Sequence, residues 1–229
     1  MNSSIWAVVP AGGKGERFSS QDNKLLAPLH GKPVLHWTLS ALLATPCLSG
    51  IVIATQARQD YQPIVDALPP EKPVLWAGGG PTRRLSVRMG VLATPPGSVV
   101  VVHDAARPLI TPELITRAMS VFTADPTLSG LVVGLPMTDT VKITTDGQTV
   151  LETADRKLLW TVQTPQITRR ETLLAADKAV PASTEASDEM QLLELAEISG
   201  GVRLFLGERQ NLKITTPADL QLAEALLQP

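Results

Sequence analysis

Chemistry is first legible in the segment Val8-Val9-Pro10-Ala11-Gly12-Gly13-Lys14-Gly15-Glu16-Arg17-Phe18, which follows a short apolar run and is dense in glycine. Glycines let a backbone close on a phosphate, and successive N–H groups in such a turn make an anion nest. The segment departs from two common nucleotide motifs. A dinucleotide fingerprint would need glycine where Phe18 stands and an acid near Thr55-Gln56 to hold a ribose; a Walker loop needs four residues between its first glycine and a Gly-Lys-Ser/Thr. Taken alone, the turn can also be read as a structural strand-to-helix connection. Arg17 and Lys24 favour the anion reading, because cations placed to swing over a glycine nest are what the charge of a triphosphate demands.

The scaffold for such a turn can be read from composition and pattern. The chain has 229 residues, 44% hydrophobic and 18% charged, which is enough apolar material for a buried core and excludes both a disordered chain and a disulfide-stapled miniprotein. A net charge of −2 argues against a nonspecific nucleic-acid or membrane-surface binder. Cys47 is the single cysteine, so neither an internal disulfide nor a multi-cysteine metal site is available. No run approaches the roughly 18 to 20 apolar residues of a membrane span, and no basic region precedes the first apolar run. The expected location is the cytoplasm, or the plastid stroma in a plastid-bearing organism, although no transit peptide is seen.

Short β-branched runs alternate with longer amphipathic segments, the mark of α/β organisation. Strands are expected at Ile5–Val9, Gly50–Thr55, Pro73–Ala77, Ser98–His103 and Gly130–Leu135, and helices at Val34–Ala44, Arg58–Leu68, Arg83–Ala93 and Pro112–Ala124. Thr111-Pro112-Glu113 is a good helix start, with a threonine cap and proline at the first helical position. Beyond Pro136, Thr138–Thr144 and Gln148–Thr153 alternate about Asp146-Gly147, which predicts a β-hairpin too short to be a domain and therefore projecting as an arm. A strand-like segment near Leu158–Val162, helices from about Arg169 and Asp188, a strand at Val202–Leu206 and a helix from Pro217 to Leu227 complete the chain. The expectation is one domain over 1–229: an α/β, Rossmann-like, mostly parallel sheet flanked by helices, with an inserted β-hairpin arm at 137–156.

Pro10-Ala11-Gly12-Gly13-x-Gly15-x-Arg17 with Lys24 and Gly31-Lys32-Pro33-Val34-Leu35 resembles the opening signature of nucleotidyltransferases that activate sugars and polyols. Val101-Val102-His103-Asp104-Ala105-Ala106-Arg107-Pro108 narrows the likeness to the 2-C-methyl-D-erythritol 4-phosphate cytidylyltransferase family. Further matches are Gly79-Gly80 with Arg83 and Ser86-Val87, Thr138-Asp139-Thr140-Val141-Lys142, Asp155-Arg156 with Trp160, Thr164-Pro165-Gln166, Ser187-Asp188-Glu189 and Asn211-Leu212-Lys213-Ile214-Thr215. Their order and spacing span the whole chain.

The resemblance implies in-line attack of a polyol phosphate on the α-phosphorus of CTP, with pyrophosphate leaving in a step of non-mevalonate isoprenoid synthesis. It implies Arg17, Lys24 and Lys213 as catalytic cations, and Pro10, Ala11, Gly12, Gly13, Gly15, Gly80, Arg83, Ser86, Asp104 and Ala105 around the nucleotide. Acceptor contacts would come from Asp104, Arg107, Thr164, Ser187 and Lys213, with Thr140 and Arg156 supplied by the arm of a partner in a homodimer. A Mg²⁺ cofactor is implied, held chiefly by CTP phosphates, with Asp104 as the candidate protein ligand. Asp104 can also be read as a helix cap or a salt-bridge partner of Arg107, and His103 as a structural residue. With four Trp, three Phe and one Tyr scattered along the chain, no stacking platform is visible, and by resemblance the cytosine is read by Ala11, Gly12, Gly80 and Ser86. Asn23, Leu25-Leu26, Pro81 and Ser187 depart from the family's usual residues and bear on fine geometry rather than on the reaction. Two rivals remain: a ribitol 5-phosphate cytidylyltransferase, and a noncatalytic nucleotide-binding regulator. The small-molecule partners expected are CTP and a polyol phosphate, with no nucleic acid and no membrane.

Overall fold

The computed structural model describes residues 4–12, 18, 23–69 and 71–227. Its strands are β1 (Ile5–Pro10), β2 (Pro28–Leu29), β3 (Lys32–Pro33), β4 (Gly50–Ala54), β5 (Val74–Ala77), β6 (Val99–Val102), β7 (Gly130–Pro136), β8 (Lys142–Ile143), β9 (Glu152–Thr153), β10 (Trp160–Arg169) and β11 (Val202–Leu206). Its helices are α1 (Val34–Ala44), α2 (Arg58–Asp66), α3 (Arg83–Leu92), α4 (Pro112–Ala124), α5 (Arg170–Ala179), α6 (Glu189–Leu195) and α7 (Pro217–Leu226).

The main sheet has the order β11-β7-β10-β6-β1-β4-β5. Neighbours pair in parallel except at β10, which runs antiparallel to both β6 and β7. Side chains alternate between the faces of a strand, so β1 sends Ala7 and Val9 to one side and Val8 to the other. The first side packs against α1, α2, α4 and α7 through residues such as Leu35, Tyr61, Ile115 and Ala223. The second meets α3, α5 and α6 through Val87, Leu173 and Met190. Covering both faces requires apolar residues at successive positions, which is why β4 and β6 are buried along their whole length. Each such Val, Ile or Leu contributes about 1.5–3 kcal/mol relative to exposure, offset by the entropy of ordering the chain.

Helix starts follow their caps. Thr111 accepts from the Leu114 N–H ahead of Pro112, and Thr216 forms a capping box with Asp219. At the expected hairpin, Gly147 has φ +72° and the Asp146 carboxylate accepts from the Gln148 and Thr149 N–H groups at 2.8 and 2.7 Å. The ladder itself pairs only Lys142 with Thr153 and Ile143 with Glu152, so the tip is held more by this turn than by strand pairing. Ile143, Val150, Leu151 and Leu158 are exposed along this segment.

The structure differs most from the sequence expectation at β10. The strand foreseen near Leu158–Val162 begins only at Trp160, after a single helical turn at Arg156–Leu158, and runs on to Arg169, because Gln163, Thr164, Gln166 and Thr168, to which the sequence assigns no element, are buried and hydrogen-bonded. Its register with β7 passes from Val162 opposite Gly134 to Gln166 opposite Val132, so Gln163-Thr164-Pro165 bulges from the ladder. A small β2–β3 hairpin about His30-Gly31 was not legible as a strand pair. Among the described residues, no helix is long and apolar enough to cross a membrane.

Candidate active site

Strands β1, β4, β5 and β6 end in register on one edge of the sheet, and the chain leaving β1, β5 and β6 there walls a cavity of about 170 Å³. In a parallel sheet this edge is where ligands bind. Of the positions singled out in the sequence, Pro10, Ala11, Gly12, Gly80, Arg83, Ser86, Asp104 and Ala105 line the cavity, joined by Lys24 and Lys213. Gly13, Gly15 and Arg17 lie outside the described residues.

Each wall is braced from behind. Ala11 donates to Ala54 O at 2.9 Å and accepts from the Thr55 hydroxyl at 3.0 Å, which ties the turn after β1 to the end of β4. Thr82 caps α3 by accepting from Leu85 N at 3.2 Å. The Ser86 hydroxyl oxygen accepts from Gly80 N at 3.1 Å and donates to Thr82 O at 3.0 Å, curling residues 80–82 over the start of the helix. This curl is why position 80 is glycine: an added Cβ would stand 2.4 Å from Leu85 Cβ. The first turn of α3, capped by Thr82, begins beside the cavity at Arg83.

Asp104 is the electrostatic centre. Its Oδ1 lies 3.1 Å from Arg83 Nε and 3.0 Å from Nη2, while its Oδ2 meets Lys213 Nζ at 2.8 Å and Arg107 Nε at 3.8 Å. Burial alone would push this carboxyl up, but Arg83, Lys213 and Arg107 together hold it well below the ordinary carboxylate range. Arg83 is raised: burial opposes its charge, and Glu189 and Asp104 more than compensate.

Behind Asp104 stands a buried relay. Its backbone N–H donates to Thr164 Oγ1 at 3.1 Å, and that hydroxyl lies 3.0 Å from His103 Nδ1. His103 Nε2 lies 3.3 Å from Arg107 O, an atom that can only accept. The network therefore assigns the proton to Nε2 and makes Nδ1 the acceptor from Thr164. Burial lowers the imidazole to about 4, so it is neutral near pH 7 and serves as a brace.

Lys213 arrives on a strap anchored at three points. Arg107 Nη1 donates to Asn211 O at 2.7 Å, Asn211 Nδ2 to Thr164 O at 2.8 Å, and Ile214 N to Ala106 O at 2.8 Å. Gln163, on the bulge of β10, bonds Glu208 O at 3.0 Å and lies 3.2 Å from Asn211 Nδ2. The irregularity in β10 thus fixes the strap that delivers the cation.

The remaining positions lie elsewhere. Arg107 and Thr164 are buried under the Asp104 turn, with Thr164 engaged as described. Ser187 is exposed, and its N–H bonds Gln191 Oε1 at 2.6 Å. Thr140 and Arg156 are exposed at the arm, where Arg156 Nη1 donates to Thr138 O at 2.6 Å, and neither lines the cavity of its own chain. Thr82, Glu189 and Asn211 shape the site without having been assigned roles from the sequence. For Thr82 the signal was available, since Thr-Arg-Arg-Leu ahead of a helical pattern is a cap. Among the described residues, no three His, Cys, Asp or Glu side chains gather as a metal cage.

A glycine-walled crevice rimmed by Lys24, Arg83 and Lys213 at the C-terminal edge of a mostly parallel sheet is the build of a nucleotidyltransferase. The chain belongs to the family described as IspD: 2-C-methyl-D-erythritol 4-phosphate cytidylyltransferase, whose model matches residues 5–229. It is 40% identical to the 2-C-methyl-D-erythritol 4-phosphate cytidylyltransferase of Thermosynechococcus vestitus over 96% of this chain and 94% of that protein. The Microcystis aeruginosa protein of the same name is 38% identical over 97% of this chain and 98% of its own. Among solved structures, the 4-diphosphocytidyl-2C-methyl-D-erythritol synthase from Anaerococcus prevotii superposes with a TM-score of 0.85 at 26% identity, covering 99% of this chain and 97% of that one.

Proposed function

We propose that this chain transfers the cytidylyl group of CTP to 2-C-methyl-D-erythritol 4-phosphate, giving 4-diphosphocytidyl-2-C-methyl-D-erythritol and pyrophosphate. The observation that carries this reading is the placement of Lys24, Arg83, Asp104 and Lys213 around one glycine-walled cavity in a chain that matches the family nearly end to end. An oxygen of the acceptor phosphate attacks the α-phosphorus in line; the bond to the bridging oxygen breaks, and the electron pair leaves with pyrophosphate. No covalent intermediate on the protein is needed, so catalysis is positioning and charge stabilisation.

Lys24 and Arg17 hold the triphosphate in this reading. Lys213 steadies the charge that develops on the five-coordinate phosphorus. Asp104 orients Lys213 and Arg83. The tight turns at Ala11, Gly12 and Gly80, with Ser86, face the base. A divalent cation such as Mg²⁺ suits the donors present, since Asp104 is a rim carboxylate with no cage of further acids about it among the described residues, which leaves most coordination to phosphates and water. When bound, it would supply charge neutralisation among the phosphates.

The exposed apolar residues of the segment that carries Thr140 and Arg156 support a homodimer in which each arm, 137–156 of a single domain, reaches the partner's acceptor site. Arg107, Thr164 and Ser187 complete the acceptor side, Arg107 and Thr164 through the shape of the Asp104 turn. The setting proposed is the cytoplasm. Incubation with CTP, Mg²⁺ and each polyol phosphate, followed by pyrophosphate release, tests the assignment: 2-C-methyl-D-erythritol 4-phosphate should be turned over fastest. Faster turnover of ribitol 5-phosphate would sink it, and CTP binding without turnover of any acceptor would favour a regulator.

A further inference from the structure

Glu189 is an acid where a polyanion site should not want one. It is the first residue of α6, buried to 3% exposure, and its N–H is fixed by Gln166 Oε1 of β10 at 3.0 Å. Its carboxylate grips Arg83 end-on, Oε1 to Nη1 at 2.6 Å and Oε2 to Nη2 at 3.1 Å. Arg83 turns its other edge, Nε and Nη2, to Asp104 Oδ1. Two carboxylates therefore divide one guanidinium, and Asp104 keeps Oδ2 for Lys213.

We propose that Glu189 is a positioning residue for the nucleotide site: its fork with Arg83 stops that guanidinium from folding wholly onto Asp104 and so presents both Arg83 and Lys213 to the triphosphate. The physical reason is geometric. A guanidinium has five N–H groups in a rigid plane, and a bidentate carboxylate at its tip fixes the plane's orientation as a single charge cannot. Without Glu189, Arg83 has one anionic partner left, Asp104, and would neutralise the group that orients Lys213. Burial pushes the Glu189 carboxyl above its ordinary value and the Arg83 fork opposes that push, so the pair depends on its own close contact to stay charged.

Charge and positioning predict opposite signs, which makes the inference testable. Replacing Glu189 by glutamine removes a negative charge beside a polyanion site, and charge alone would tighten triphosphate binding. Positioning predicts weaker binding. Calorimetric titration of Glu189→Gln with CTP and Mg²⁺ should show Kd raised by about tenfold, the scale of one lost charge-assisted hydrogen bond. In steady state, KM for CTP should rise in parallel. Affinity equal to or tighter than wild type overturns the inference. The double variant Glu189→Gln/Arg83→Gln should bind CTP no more weakly than Arg83→Gln alone, and additive losses would show that Glu189 acts through another group. Should Glu189→Gln fail to fold, Arg83→Lys is the second arm: its single ammonium cannot span both carboxylates, and wild-type CTP affinity there defeats the inference. The inference rests on reading the cavity as a nucleotide site, and the two fail separately, because CTP bound without turnover counts against the reaction while the affinity comparison still reads Glu189.

Discussion

Lys24 donates from Nζ to the carbonyl oxygen of Ile214 at 3.1 Å, joining groups 190 positions apart in the chain. Ile214 follows Lys213, so the bond sets a cation from the end of the first glycine loop beside the strap that carries the other. Both lysines line the same cavity, Lys213 while paired with Asp104. In the function proposed above, both would meet the charge that develops as the phosphoryl group is transferred, and so contribute more to the transition state than to the bound substrates.

Loss of either ammonium should therefore act mainly on the chemical step. Lys24→Ala or Lys213→Ala is expected to lower kcat by roughly two orders of magnitude or more, the range for a lost group that stabilises transition-state charge. Pyrophosphate release at saturating CTP measures this. A kcat near wild type would remove that lysine from the mechanism.

The arm should speak through the acceptor. Arg156→Ala is expected to raise KM for 2-C-methyl-D-erythritol 4-phosphate while changing KM for CTP little. If each site borrows the partner's arm, mixing Lys24→Ala and Arg156→Ala subunits, assayed at an acceptor concentration below the raised KM, should restore part of the activity that each lacks alone. Verified mixed dimers with no recovery would show that the sites are not shared.

Crowding at Gly80 predicts a loss confined to the nucleotide. A methyl group there meets Leu85 Cβ at 2.4 Å and Ser86 N at 3.1 Å, so Gly80→Ala must push the 80–82 curl away from α3. The expected result is a raised KM for CTP, with circular dichroism unchanged. Wild-type KM would mean that this wall does not touch the base or its sugar.

Stability should fall in mild acid through His103. Its folded value of about 4 lies below its ordinary 6.5, so between these limits the unfolded chain binds more protons. The His103 contribution is therefore complete above about pH 6.5 and lost as pH falls toward 4. Burial raises Glu189, which works in the opposite sense, so the informative quantity is the difference between wild type and a variant. Urea unfolding across this range should show a shallower decline for His103→Gln. Parallel curves would place the acid sensitivity elsewhere.

The parallel half of the sheet and the nucleotide wall were legible because their signals are local. Valine runs such as 99–102, caps such as Thr111-Pro112 and glycines at fixed offsets need no knowledge of the rest of the chain. β10 was harder to read because a proline and four polar residues in a row of seven argue for loop, and only the partners they find make them strand. Glu189 was hidden for the same reason. A glutamate in the first turn of a helix normally suggests a solvated residue favoured by the helix dipole, and its burial against Arg83 is a property of two elements that meet only in three dimensions.

The place of β10 in the sheet also sets an order of events for a chain made from its N-terminus. β1, β4, β5 and β6 can assemble as soon as residue 102 is available, but the free edge of β6 has to wait for residues 160–169. During that interval β7 has no neighbour either, since both strands that flank it come later in the sequence. Val99–Val102 and Gly130–Val133, all buried in the finished fold, are then bare ribbons that can pair with another copy. Polar, bulged β10 closes the edge of β6 and the facing edge of β7 at once, and leaves the far edge of β7 to β11. Its arrival therefore covers two of the three bare edges in the same step that sets Thr164 against Asp104.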